Sequence, residues 1–218
     1  MRKITGLQIL VFSLLAVTAV ALATITDYLA LGRLPFGDFR GVMLLLGGLI
    51  FLECYSALCY RLFLWRFPLR EGEVMEGSGQ EFVYHVHVLF FLIFFYPIIR
   101  SGFWPAPMMR LFYLALGARL GPNTYSQGII HDPLFVEIGA NSTVGQSALV
   151  IPHVIEGHKL AHYTIRMGNN VTVGALAAIL PGVQIGDGAT VATGSVVTKG
   201  TRIGPGEVWG GVPAKRIR

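Results

Sequence analysis

From Leu120 onward the chain repeats with a period of six residues, which is neither the 3.6 of an α-helix nor the 2 of a simple strand. The hexads begin at Leu120, Ser126, Asp132, Ile138, Val144 and Val150. After an irregular stretch they resume at Met167 and run through Val173, Ile179, Ile185, Val191, Val197, Ile203 and Trp209. Twelve of these fourteen leading residues are apolar and eight are followed by glycine, so a typical hexad has one side chain to bury and one place to turn. The fifth position is small or aliphatic: Thr124, Val136, Ser142, Ala148, Val171, Ala177, Val183, Ala189 and Ser195. Such a pattern predicts a parallel β-helix over residues 117–218, three hexads to a triangular coil and four to five coils in all. One coil cannot bury its own inner face, so only the stack is stable.

The first 116 residues follow a different rule and read as an α-helical membrane region. Apolar runs at about 7–25 and 42–64 are long enough to span a bilayer. The second carries Glu53, a carboxylate that has to face protein. A third run, 82–99, contains His85 and His87 in its first turns, where interfacial placement is cheap, and Pro97 near its end. Residues 104–116 are too short to cross, and Arg110 marks them as an interfacial helix. Met1-Arg2-Lys3, the first apolar run and Ala21-Leu22-Ala23 also have the outline of a secretory signal. The length of that run, and the apolar segments after it, favour a retained span.

A mean hydropathy of +0.60 excludes a disordered chain. Two cysteines, Cys54 and Cys59, exclude a disulfide scaffold and read as buried free thiols. The net charge of +5 is spread over both halves without a dense Lys/Arg cluster, which argues against a nucleic-acid partner.

Ile179-Leu180-Pro181-Gly182-Val183-Gln184-Ile185-Gly186-Asp187-Gly188, Gly194-Ser195-Val196-Val197-Thr198-Lys199 and Gly210-Gly211-Val212-Pro213-Ala214-Lys215 resemble signature stretches of the left-handed β-helix hexapeptide acyltransferases, in their galactoside and maltose acetyltransferase branch. The chain is also similar to the membrane-fused hexapeptide modules that follow some peptide synthetases. The resemblance implies a homotrimer with active sites between neighbouring prisms. It also implies acetyl-CoA as donor, and direct transfer to a hydroxyl or amine with a histidine as general base. Pantetheine held on a carrier protein is an alternative donor form. By position in the family, pantetheine would lie near Ala175, Ala192, Thr193 and Gly194, and Lys199, Lys215 and Arg216 would meet the CoA phosphates. Small residues also serve the coil itself, and basic ones also suit anionic lipid.

The family's base lies where the hexads break, which here points to His153. Imidazole titrates near neutrality and suits the task, and Glu156 is placed to orient the ring. His131 and Asp132 are candidates for acceptor contact, or for a polar corner cap. His158 and His162 fall in the irregular stretch, as acceptor contacts or solvated loop residues.

Because acetyl-CoA is cytoplasmic, the coil is expected on the cytoplasmic face of a bacterial-type inner membrane. Arg2, Lys3, Arg61, Arg66 and Arg70 agree with that orientation. Two full spans then place the coil correctly only if 82–99 dips into the membrane or lies along it. An anchored enzyme suits a lipid-linked saccharide or cell-envelope glycan precursor as acceptor. Competing readings are N-acetylation of an amino sugar, a non-catalytic scaffold, and a zinc lyase like the γ-class carbonic anhydrases with ligands among His131, His153 and His158. The leading reading requires no metal.

Overall fold

A computed structural model describes residues 2–218, and Met1 lies outside it. The chain divides into two compact units, residues 2–69 with 77–97, and residues 70–76 with 98–218.

The first unit is helical. α1 (Gly6–Ala30) and α2 (Arg40–Arg66) contain the two expected spans. α3 (Gly79–Phe90) continues through a π-helical turn at Phe91–Phe95 into α4 (Tyr96–Ser101). Pro97 lacks a backbone donor and its ring crowds the preceding turn, which accounts for the widened hydrogen bonding there. Three helical stretches, Gly6–Ala30, Gly37–Arg66 and Gly79–Ser101, are long and apolar enough to cross a membrane. The outer faces of α1 and α2 leave Leu10, Leu14, Val17, Leu45 and Leu49 exposed. Inside, α1 and α2 meet over small residues: Ala19 and Ala23 are buried, and a Cβ on Gly47 would stand 2.6 Å from Asp27 Oδ1.

Two expectations for this unit change. Cys59 is buried but Cys54 is exposed, because positions five apart lie well round the helix from each other. His85 and His87 are both buried rather than interfacial. His87 Nδ1 lies 2.9 Å from the Tyr60 hydroxyl of α2, so α3 turns these rings inward toward the other helices.

The second unit is the predicted prism. β2 (Arg119–Leu120), β3 (Tyr125–Ser126) and β4 (Ile129–Ile130) make the first coil. β5 (Val136–Ile138), β6 (Thr143–Val144) and β7 (Leu149–Val150) make the second. A hairpin, β8 (His153–Glu156) and β9 (Lys159–His162), leaves the prism at this point. β10 (Ile165–Met167), β11 (Thr172–Val173) and β12 (Ala178–Ile179) resume the winding. β13 (Gln184–Ile185), β14 (Thr190–Val191) and β15 (Val196–Val197) follow, then β16 (Arg202–Ile203) and β17 (Val208–Gly211), closed by β18 (Ala214–Arg216). Corresponding strands pair in parallel. Leu120, Ile138, Met167, Ile185 and Ile203 stack in one column of the first sheet, and every hexad leader from Leu120 to Ile203 is buried.

The hexad phase slips once, which sequence counting misses. The inward residue of β4 is Ile130, paired with Val150, and not Asp132. The turn before β4 is shortened, and α5 (Ala106–Leu116) repairs the backbone there. Tyr113, fully buried on α5, donates to Gly128 O at 2.9 Å and accepts from Ile130 N at 3.2 Å. Burial pushes its phenol up to about 12, which keeps the donor proton in place. Arg110 turns inward to Leu120 O and Gly121 O at 3.3 and 3.0 Å. α5 thus caps the open end of the prism. The boundary expected at 116/117 does not coincide with the observed division, because α5 and the segment 70–76 pack on the coil.

Candidate active site

Two departures from the hexad rule meet at one corner of the prism, between the third and first sheets. After β4 the chain turns at Asp132, which adopts a left-handed φ of 42° ahead of a 3₁₀ turn at Pro133–Phe135. After β7 it leaves the prism into the hairpin, whose first residue is His153. Asp132, 5% exposed, places Oδ2 2.5 Å from His153 Nδ1. His131 meets the His153 ring edge to face, with centroids 5.7 Å apart. His162 lies opposite His153 across the hairpin and stacks on Phe135 at 4.8 Å, fully buried.

Burial works against a charged His153, but the hydrogen bond and charge of Asp132 outweigh it and raise the pKa above the ordinary imidazole value. Burial, set against Asp132 and reinforced by His153, holds His131 below that value. A carboxylate on Nδ1 fixes the Nδ1–H tautomer of neutral His153 and leaves Nε2 as an acceptor. The ring keeps 26% of its surface exposed. The arrangement is a buried carboxylate holding an accessible base.

The carboxylate on His153 is therefore Asp132 and not Glu156. Side chains alternate along β8, so Glu156 points to the other face of the hairpin, where it pairs with Lys199. That contact lowers the Glu156 carboxyl in full solvent. His158 sits exposed beside Gly157 in the hairpin turn, away from the cluster. Ala175, Ala192, Thr193 and Gly194 fall at the corner between the second and third sheets, with Gly194 N bonded to Ala175 O at 2.9 Å. Coils pack closely there: a Cβ on Gly174 would stand 2.5 Å from Thr193 N. Lys215 and Arg216 lie on β18, Arg216 paired with Glu207 at 3.1 Å. Within one chain the named residues thus occupy separate places, and only His131, Asp132, His153 and His162 converge. Among the described residues, no group of three His, Cys, Asp or Glu side chains has metal-binding geometry.

One supporting residue has no sequence signature. Glu71 lies 93 positions before Thr164, yet its carboxylate accepts from Thr164 N at 3.0 Å and from the Thr164 hydroxyl at 2.8 Å. Burial opposes its charge, but the Thr164 bonds and Arg166 prevail and hold it below the usual carboxylate range. Beside it, β1 (Gly72–Glu73) pairs antiparallel with β9, Gly72 opposite His162. The hairpin that carries His153 is thereby fixed from its outer edge.

Residues 164–199 match the family described as bacterial transferase hexapeptide (six repeats). Over that stretch the coil is similar to the hexapeptide-repeat transferases. The chain is 38% identical over 89 residues to galactoside O-acetyltransferase of Escherichia coli (strain K12), covering 35% of this chain and 43% of that one. It is 32% identical over 111 residues to the putative acetyltransferase YvoF of Bacillus subtilis (strain 168), covering 49% and 63%. It is 42% identical over 81 residues to the mitochondrial gamma carbonic anhydrase 2 of Arabidopsis thaliana, covering 37% and 25%. The chain spans less than two thirds of the length of each of these relatives.

Proposed function

We propose that this hexapeptide protein, with its prism wound left-handed, is an acetyl-CoA-dependent O-acetyltransferase. It acts at the cytoplasmic face of a bacterial-type inner membrane on a hydroxyl of a lipid-linked saccharide or glycan precursor. The observation that carries the reading is the 2.5 Å contact between Asp132 and an accessible His153. The acceptor O–H gives its proton to His153 Nε2 while its oxygen bonds to the thioester carbonyl carbon. The C–S bond then breaks, and the proton leaves on the CoA sulfur. Asp132 stabilises the imidazolium formed between these steps. The similarity to galactoside O-acetyltransferase supports the reaction class, O-acetyl transfer.

The donor groove at Ala175, Ala192, Thr193 and Gly194 is separate from His153 within one chain, which agrees with a homotrimer whose sites combine two prisms. The exposed apolar faces of α1 and α2 support two full spans. The cytoplasmic coil of this reading requires that the third segment, 82–99, dips into the membrane or lies along it without crossing. A reporter fused after Arg218 is expected to read out as cytoplasmic, and a periplasmic readout would overturn this topology.

The deciding experiment is calorimetric titration of acetyl-CoA into the detergent-purified, metal-free protein. Saturable binding, with loss of turnover in His153→Ala, is the expected result. A folded protein that takes up no acetyl-CoA would refute the reading and move the similarity to the gamma carbonic anhydrase, and a zinc assay, to the front.

A further inference from the structure

A cleft of about 380 Å3 opens in the coil unit between the end of α4, α5 and the corner joining the second and third sheets of coils one and two. Its lining is mixed. Ile99, Met109 and Pro105 form an apolar wall, Trp104 stands at the edge, and Arg100, Gln127, Gln146 and Ser147 supply polar groups. Arg100 is exposed, and among the described residues no carboxylate pairs with it. At the rim of the cleft Phe103, between the lining residues Gly102 and Trp104, is 82% exposed. Arg110, the one cation of α5, is turned away into the prism. A polar cleft with an unpaired guanidinium beside an apolar rim fits a ligand that has a phosphate, hydroxyls and a hydrocarbon tail.

The cleft also leads to the base. Ile129 lines it, and His131, just past the end of β4, continues the ladder through His131 N to Val150 O at 2.9 Å, which places it about 7 Å further along the same side at the rise of a strand. His131 in turn touches His153. A second cleft of the coil unit measures about 450 Å3. It is lined by Val154 and Glu156 on the opposite face of the hairpin, and its Arg166 and Lys199 are engaged by Glu71 and Glu156.

We propose that the α4–α5 cleft is the head-group site of the acceptor. Arg100 holds the phosphate of a lipid-linked saccharide, Gln127 and Gln146 bond to sugar hydroxyls, and the sugar extends along β4 toward His131 and His153. This rests on the acetyltransferase reading and names its acceptor class.

The test is native mass spectrometry of the detergent-purified full chain, titrated with undecaprenyl phosphate, with the same lipid carrying one hexose, and with phosphatidylglycerol. Both polyprenyl lipids are expected to bind more tightly than phosphatidylglycerol. Arg100→Gln should weaken both about tenfold, as expected for loss of a charge-assisted hydrogen bond. The double variant Gln127→Ala/Gln146→Ala should weaken only the hexose-bearing lipid. Arg202→Gln, in the other cleft, should leave all three unchanged. Equal binding of phosphatidylglycerol, or an Arg100→Gln affinity within about twofold of the parent, would overturn the proposal. Acetyl-CoA calorimetry on the same samples separates the two readings. A heat unchanged by Arg100→Gln reports an intact fold and donor site, whereas no heat from the parent protein refutes the transferase and leaves the lipid titration to judge the cleft.

Discussion

The prism has a regular half and a broken half. From Met167 to Ile203 the hexads run without interruption, each leader buried on the leader below, and the outward Gln184, Lys199 and Arg202 line an open cleft. From Leu120 to His162 the rule fails twice. A shortened turn brings Ile130 inward and leaves Asp132 at a corner, and a hairpin carries His153 out of the prism. The two failures occur one coil apart on the same corner, and the buried carboxylate and the base meet because of that. Repetition builds a rigid wall, and the places that depart from it hold the candidate site.

The sharpest way to break this comparison is to remove the base. His153→Ala should lower acetyl transfer about 10²–10⁴-fold while acetyl-CoA still binds, as read by thiol release beside calorimetry. A rate within twofold would place the chemistry elsewhere. In the regular half, Ile179→Ala empties a fully buried position and should cost about 2–5 kcal/mol of stability, seen as a lower thermal midpoint with little change in turnover of the folded protein.

Asp132→Asn probes the link between the two broken segments. His153 acts as a base only when neutral, so parent activity should rise with pH through its raised pKa. The variant loses what raises that pKa and keeps the burial that lowers it, so the acidic limb should move to lower pH while the plateau falls about 10–100-fold. A limb that stays in place would mean that Asp132 does not hold the ring. The same pairing has a stability signature. Its contribution is fully present below the unfolded imidazole pKa of about 6.5 and is lost as pH rises through the folded value.

Tyr113→Phe strips the repair from the shortened turn, leaving Gly128 O and Ile130 N without their partner. It should cost about 1–3 kcal/mol, measured by the same thermal melt. Glu156→Gln, which removes a solvent-screened pair with Lys199, should change rate and stability least, leaving both within the error of the assay and the melt. A large loss there would restore Glu156 to the site.

Much of this molecule was legible in its sequence because periodicity is a local property. The six-residue spacing fixed the prism, its coil count and its buried columns. The length of the apolar runs fixed α1 and α2, and the interruption after Val150, read with the family resemblance, made His153 the candidate base. The position of Asp132 was visible only as an exception to the hexads, because a two-residue phase slip that is recovered by Ile138 leaves the six-residue count intact. Nothing local distinguished Glu156, three residues from His153, from Asp132, 21 residues away. Strand alternation settled that choice by turning Glu156 to the far face of the hairpin. Glu71 and β1 were beyond reach for the same reason, since their partners lie some 90 residues on. Spacing determines which side chains a segment can bury. Which carboxylate reaches which ring depends on two turns lying on adjacent coils, and only the folded stack brings them together.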